Sequence, residues 1–405
     1  MLRISSIPQT PLRAICAIVL LTILAAGLWP FHAPSNQVAW SEHTAGLRFG
    51  RHGSIVSLAP FQPSPGLASG PASIEIWLNP DRLDGSGTIL AFYRPETRTV
   101  SLALRQSLDD LLVQLPSSPK PDPKPDPKTA RIYAPHVFAH RRPVLLTISS
   151  GPSGTTVYAE GTFLRQFPSF KFFSSELAGQ LVIGNSPGTT HTWSGELNAL
   201  AIYDRELSAV EAAEHYAILT KNGPSPVGSF ENAIALYLFQ EEQGRVVHNL
   251  AGGPPGAAAD LVIPERFFVL NAQFLETPWS EYHANWAYWR NVAINIGGFV
   301  PLGFFFFACF SSAGSNARVV AAVIVLGFLA SLTIEVGQAF LPTRDSGITD
   351  LITNTLGTAL GVALCASLLK RNLATAASVL AQSAGMDAEQ TSKTTKRSPE
   401  LLFTE

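Results

Sequence analysis

The chain has 405 residues, of which 46% are hydrophobic and only 14% charged, with a formal net charge of −2 and a mean hydropathy of +0.18. Soluble chains of similar apolar content carry about 25% charged residues, and disorder needs low hydrophobicity with high charge, so the composition argues against both an ordinary cytosolic enzyme and a disordered chain. The balanced charge leaves no footprint for nucleic acid, and the modest mean hydropathy speaks against a chain held wholly in lipid.

The first apolar stretch, from about Ile15 to Phe31, is long enough to cross a bilayer. A cleaved signal peptide is the alternative, with Ala25, Ala26 and Gly27 as a weak cleavage site. No Cys follows Gly27, which argues against a lipoprotein anchor. Cys16, Cys309 and Cys365 all fall inside apolar stretches, so neither a disulfide framework nor a Cys-based metal site is expected.

From about Val38 to Ile263 the pattern changes to short β-rich runs broken by Gly, Pro, Ser and Asn. Examples are SIEIWLNP (73–80), TILAFY (88–93), VSLALR (100–105), PVLLTIS (143–149), TTVYAEG (155–161) and ELNALAIYD (196–204), several of which alternate apolar and polar residues as half-buried strands do. Strands at this spacing, without helical runs between them, predict an all-β sandwich or jelly roll over residues 37–265. SIEIWLNP followed by GTILAFY resembles the entry strands of concanavalin A-like, laminin-G-type domains. LVIGN (181–185), WSGELNALAIYDRELSAVEAAEHY (193–216) and YLFQEEQGRVVHNLAG (237–252) are similar to the closing segments of that family.

The resemblance implies binding of carbohydrate or protein, sometimes with calcium. Asp109 and Asp110 are adjacent rather than spaced, so no metal is expected here. Glu75 and Glu196 are the candidates for a glycosidase carboxylate pair, but both are expected to face solvent, and the sandwich reads as non-catalytic. Trp77 is expected in the core. The Pro-Lys-Pro-Asp repeat at 117–128 reads as a stiff exposed hairpin tip, with a recognition handle as the alternative.

FLETPWSEYHANWAYWR (274–290) places Trp279, Tyr282, Trp286, Tyr288 and Trp289 next to an apolar stretch, as an aromatic belt at headgroup level does. A lipid- or glycan-stacking role is the alternative, and His283 is read as interfacial. Three further spans follow, from about Val292 to Phe310, Val319 to Leu341 and Ile348 to Leu369. Asn291 and Asn295 share a helix face, Gly297, Gly298 and Gly303 permit close backbone approach, and Pro301 interrupts the helical hydrogen bonds. Glu335 with Gln338, and Asp350 with Asn354, form polar faces on either side of Arg344, while Gly357 and Gly361 make a small-xxx-small pair. Ionisable residues near membrane depth read as a candidate site, and an Arg344-centred salt-bridge network locking the turn is the competing reading.

The run from Asn291 to Gly361 resembles the VanZ-like membrane family. The match lies in Asn295, Phe299, Pro301 and Gly303, and then in Glu335, Gln338, Arg344, Asp350, Asn354 and Gly357. The acidic residue often found a few positions before the first Asn is missing, because Arg290 and Asn291 stand there. The resemblance implies an envelope context associated with glycopeptide resistance, without an established reaction. It also implies that the sandwich is inserted into the family's first outer loop.

The expected architecture is an α-helical transmembrane bundle of about four spans with an inserted concanavalin A-like jelly-roll sandwich. Its domains are residues 1–36, 37–265, 266–371 and a disordered cytoplasmic tail at 372–405. Arg3, Arg13, Arg318, Lys370 and Arg371 fall on one side if both termini are cytoplasmic, which puts the sandwich outside the inner membrane. The ligand-binding candidates are Asn295, Glu335, Gln338, Arg344, Asp350 and Asn354. An Arg beside carboxylates and amides suits a phosphate- or carboxylate-bearing envelope molecule, such as a cell-wall glycan precursor linked to lipid. Two other readings compete: a membrane enzyme with Glu335 or Asp350 as general base, and a scaffold whose sandwich binds a protein. No phosphate loop, Ser/His/Asp array or metal-ligand motif is present, so no cofactor is expected.

Overall fold

The alternating runs between Val38 and Val262 pair into two antiparallel sheets in the computed structural model of the chain. The structure describes residues 9–42, 44–62, 66, 68–115, 131–139, 142–188, 191–220, 230, 232–251, 259–272, 274–282, 285–311, 317–344 and 346–395. The Pro-Lys-Pro-Asp repeat and His283 lie outside them. The chain divides into one unit of His32–Ala272 with Leu341–Thr343, and another of Met1–Phe31, Gln273–Phe340 and Arg344–Glu405.

In the first sheet the strand order is β1 (Val38–Trp40), β2 (Leu47–Phe49), β13 (Gly195–Tyr203), β4 (Ala72–Pro80), β9 (Val144–Gly151), β10 (Gly154–Ala159) and β11 (Thr162–Phe167), and β14 (Ala235–Tyr237) also pairs with β13. The second runs β15 (Val246–Val247), β16 (Leu261–Val262), β3 (Ile55–Ser57), β12 (Gln180–Ile183), β5 (Ser86–Arg94), β6 (Thr99–Ser107), β7 (Asp110–Gln114) and β8 (Arg131–Ala134). Alternate residues such as Ile74, Ile76 and Leu78, and Leu90 and Phe92, fill one core between the sheets. The period of two that marked these strands in the sequence therefore sorts their inward faces correctly.

The outward face of the first sheet departs from expectation. Helix α2 (Ala209–Thr220) and the segment around Phe230, Leu236 and Leu238 cover it, forming a second apolar cluster with Ala199, Ala201 and Tyr203. Glu75 is on this covered face and is only 2% exposed, not solvent-facing. It accepts hydrogen bonds from Thr147 Oγ1 at 2.8 Å and Tyr203 Oη at 3.0 Å, and it meets His215 Nδ1 at 2.7 Å. Burial first, and Glu75 beside it second, push the Tyr203 hydroxyl well above the ordinary tyrosine range, so it remains a donor. Trp77, on the same face, is half-buried against the second cluster.

A Ser208–Glu211 capping box starts α2: Ser208 N–H donates to Glu211 Oε2 at 2.8 Å and Glu211 N–H to Ser208 Oγ at 3.3 Å. Partial burial acts upward on the Glu211 carboxyl, but the Ser208 donors and the Arg205 guanidinium outweigh it and hold it down at about 2. At its two ends the sandwich is zipped shut. Ser35 bridges Arg266, Asn36 N–H donates to the Glu265 carbonyl at 3.0 Å, and Phe267 N–H donates to the Pro34 carbonyl at 2.9 Å.

The second unit is helical: α1 (Gln9–Leu28), the single turn α3 (Pro278–Glu281), α4 (Trp286–Phe310), α5 (Ala317–Gln338) and α6 (Ile348–Thr395). All but α3 are long and apolar enough to cross a membrane. Val19, Leu20, Ile23 and Leu24 of α1 pack on Phe299 and Leu302 of α4 and on Ala330 and Ile334 of α5. Leu12 and Cys16 meet Cys309, whose thiol is within hydrogen-bonding reach of Cys16. The first span is thus an integral layer of the bundle.

Helices α4 and α6 run parallel in direct backbone contact. A Cβ at Gly357 would strike the Ile296 carbonyl, one at Gly361 the Val300 carbonyl, and one at Gly303 the Thr358 carbonyl. Gly297 and Gly298, expected at such approaches, instead border open space. Pro301 sits within an unbroken α4. Helix α6 continues to Thr395, into the stretch read from the sequence as the tail. Its extension holds Ala374, Ala376, Ala377, Ala381 and Ala384 and no Pro, a composition with high helix propensity.

Two predictions follow from this packing. Oxidation of membranes with copper-phenanthroline is expected to link Cys16 to Cys309 in the intact chain, read as loss of maleimide labelling at both, and Cys16→Ser abolishes it. A chain lacking α1 would show no such protection. Glu75→Ala is expected to cost about 3–5 kcal/mol, because it strands three buried polar partners. Hydrogen exchange of the α2 amides in the full-length protein measures this, with Glu196→Ala as a near-neutral control.

Candidate functional site

The polar residues of the helical unit gather at the end where α1 and α5 finish and α4 and α6 begin. Glu335, on the last turn of α5, is 1% exposed. Its Oε2 accepts the Gly347 N–H at 2.9 Å, just ahead of α6, and its side chain also bonds Ser346. Asn295 of α4 donates through Nδ2 to Asp350 Oδ1 at 2.7 Å. One turn further along α6, Asn354 Nδ2 donates to Ser331 Oγ of α5 at 2.9 Å. Three helices are thereby joined by side-chain hydrogen bonds.

Gln338 and Arg344 face the first helix instead. Gln338 Nε2 donates to the Gly27 carbonyl at 2.8 Å, and the Arg344 guanidinium donates to the Trp29 carbonyl through Nε at 3.2 Å and Nη2 at 2.8 Å. These carbonyls belong to the C-terminal end of α1 and the turn after it, where backbone acceptors lack helical partners. Among the described residues Arg344 forms no ion pair with Glu335 or Asp350, so the turn is not held by an Arg-centred salt bridge. Asn291, on the same face as Asn295 by sequence, is exposed.

Three residues of the cluster escaped the sequence reading. Glu281 of α3 reaches the start of α6, where its carboxylate accepts the Thr349 N–H at 3.2 Å and packs directly on Gly347. Ser331 and Ser346 supply hydroxyls to Asn354 and Glu335. Glu281 was detectable by a criterion close to the one that marked Glu335, a carboxylate (with Glu276) in an aromatic stretch next to an apolar span; the serines carry no such signal. The adjoining backbone is tied by Glu276, whose N–H donates to the Ser346 carbonyl at 2.8 Å and whose carbonyl accepts the Ile348 N–H at 2.9 Å. Nearby Trp279 and Trp286 are 81% and 79% exposed, as residues of an aromatic belt are.

The carboxylates of the sandwich do not form a catalytic pair. Glu196 is opposite Asn79 and Glu75 opposite Ala201, which separates them by about 13 Å along β4. Glycosidase pairs sit roughly 5–10 Å apart. Glu196 is engaged by Ser41 Oγ at 2.5 Å and Thr44 Oγ1 at 2.6 Å. Asp109 and Asp110 are joined by His136 from a distant loop, with ligand atoms within 4.8 Å of one another. His136 Nδ1 lies 2.7 Å from Asp109 Oδ2; this hydrogen bond raises the imidazole and lowers the carboxyl from their ordinary values. One imidazole and two carboxylates fall short of the six to eight oxygen ligands that calcium takes.

Comparison with known proteins places these features. Residues 234–370 match the VanZ/LLP1 family model, and residues 55–213 match the model of the concanavalin A-like lectin/glucanases superfamily. No curated protein sequence matches the chain. A heptameric SAP-like pentraxin from Limulus polyphemus is similar at 13% identity and a TM-score of 0.33, with 57% of this chain and 90% of that chain covered. A Bacteroides ovatus protein proposed to bind carbohydrate is similar at 12% identity and a TM-score of 0.34, with 59% and 63% covered. The binding domain of botulinum neurotoxin serotype D, in complex with N-acetylneuraminic acid, is similar at 12% identity and a TM-score of 0.31, with 46% of each chain covered. Likeness at this level assigns no ligand. The chain carries a VanZ/LLP1 family region of membrane-spanning helices together with a concanavalin A-like lectin/glucanase domain.

Proposed function

We propose that this is a cell-envelope protein of the inner membrane that holds an envelope glycan on an exported sandwich and a lipid-linked, phosphate-bearing precursor at the outer end of its helical bundle. The orientation is supported by Arg13 near the start of α1, Arg318 at the start of α5 and Lys370 and Arg371 towards the far part of α6. Basic residues at these positions favour the cytoplasmic side and leave the opposite end, with the polar cluster, at the outer headgroups. The sandwich joins α1 to α4 at that same end of the bundle, so it is exported in this topology.

The observation that carries the phosphate assignment is the state of Arg344. It is exposed, and the Trp29 carbonyl holds it through Nε and Nη2, which leaves its Nη1 group without a partner among the described residues. A guanidinium fixed on one side and open on the other is preorganised for a phosphate oxygen. The neighbouring tryptophans anchor this end of the bundle at the depth where lipid phosphates lie. A concanavalin A-like domain supports glycan as the second ligand, and together the two assignments describe a binding protein rather than an enzyme.

Two measurements test this. Reporter fusions at Pro121 and at the C-terminus are expected to read outside and cytoplasmic respectively; a cytoplasmic reading at Pro121 refutes the topology. Arg344→Ala is expected to weaken retention of a polyprenyl-phosphate lipid by the detergent-purified protein about tenfold or more, with Arg344→Lys intermediate. Equal retention by all three forms, at equal membrane levels, removes the phosphate assignment.

A further inference from the structure

The second sheet of the sandwich carries a guanidinium with no acceptor. On β6, Leu102 and Leu104 point into the core, so the alternate position Arg105 faces outward. Arg105 is half-buried, and its Nε is buried without a hydrogen-bond partner. Among the described residues it forms no ion pair. Asp110, diagonal to it on β7, accepts the His136 N–H at 2.9 Å. A guanidinium cannot shed its charge by losing a proton, and its Nε is a donor whatever the rotamer. Withdrawn from water and unanswered, such a donor is costly until an anion meets it.

The strand register supplies its surroundings independently. Arg105, Leu112 and Tyr133 are successive Cα partners across β6, β7 and β8. Residues in such a row share a face, so Tyr133 stands about 10 Å from Arg105, two strand spacings away. Tyr133 is 41% exposed on the edge strand, and the Arg131 guanidinium carbon lies 5.7 Å from its ring centroid. In the adjoining row Gln114 is the partner of both Arg131 and Ala103. Leu112 and the small Ala103 are buried, and they form a low floor between the exposed ring and Arg105. An aromatic ring, a carboxamide and two guanidinium groups on one surface match a carboxylated sugar. The ring stacks on the C–H face of a pyranose, the amide meets hydroxyls, and a guanidinium fork takes the carboxylate.

We propose that the outward surface of β6, β7 and β8 is where the sandwich holds its glycan, and that it selects acidic glycans: Arg105 receives the carboxylate of a uronate-type sugar and Tyr133 stacks on the ring. The inference rests on the reading of the sandwich as a glycan-binding domain and gives that reading a place and a charge. It is independent of the Arg344 assignment, which concerns the helical unit.

The test measures binding of the full-length protein, in uncharged maltoside micelles, to polygalacturonate, hyaluronate, methyl-esterified polygalacturonate, dextran and poly-glutamate by biolayer interferometry. The wild type is expected to bind the two uronate polymers, less tightly as salt rises, and to bind the ester and dextran at least about tenfold more weakly. Arg105→Ala is expected to lose about tenfold or more of the uronate affinity, with Arg105→Lys intermediate. Tyr133→Ala is expected to weaken binding several-fold. Arg165→Ala removes an equal charge from β11, at the edge of the other sheet, and is expected to change nothing. Unchanged unfolding midpoints show that the variants are folded. Uronate binding that survives both Arg105→Ala and Tyr133→Ala overturns this site but leaves the glycan reading of the sandwich standing. Equal binding of the ester overturns the selection for acid, and equal binding of poly-glutamate overturns the assignment to a glycan. Binding of none of the four polysaccharides overturns this inference and the glycan reading together.

Discussion

The contact of α4 with α6 at bare backbone governs the helical unit. Gly303, Gly357 and Gly361 bring carbonyl groups and Cα atoms together where no side chain fits. In lipid there is little hydrophobic force to press helices together, so dispersion over a close, matched surface must do so. The contacts of Ile296 with Gly357 and Val300 with Gly361 advance four residues on each helix, which fixes the two in parallel register. That register sets Asn295 against Asp350, and it holds the start of α6 where Glu335 can cap it. Geometry that a polar cluster cannot impose on its own is inherited from the glycines below it.

The same bundle shows which parts of a sequence speak for themselves. The spans and strands were legible because hydropathy and a period of two are local properties, and the cluster residues because charge is conspicuous in apolar surroundings. Pairings were not legible. Arg344 stood beside two carboxylates in sequence, yet it bonds a carbonyl that is 315 residues away. Glu75 was assigned to the correct face of its strand but to the wrong solvent, because nothing local announces that α2 will cover that face. Gly297 and Gly298 carried the same signal as Gly303, and only the third meets a neighbouring helix.

The first helix has a role beyond anchoring. Its C-terminal end supplies the Gly27 and Trp29 carbonyls that orient Gln338 and Arg344, using acceptors every helix leaves vacant at that end. The cluster thus separates its charges: a guanidinium fixed on the α1 side and carboxylates fixed at the head of α6.

The zipped ends of the sandwich have a mechanical consequence. Residues 34–36 and 265–267 leave the domain as a bonded pair, so the chain enters and exits through a single doubled stalk. A load applied to the sandwich is shared between both connections and does not wedge them apart. The two bonded segments close the domain on itself, so its entering and leaving strands share one set of backbone hydrogen bonds.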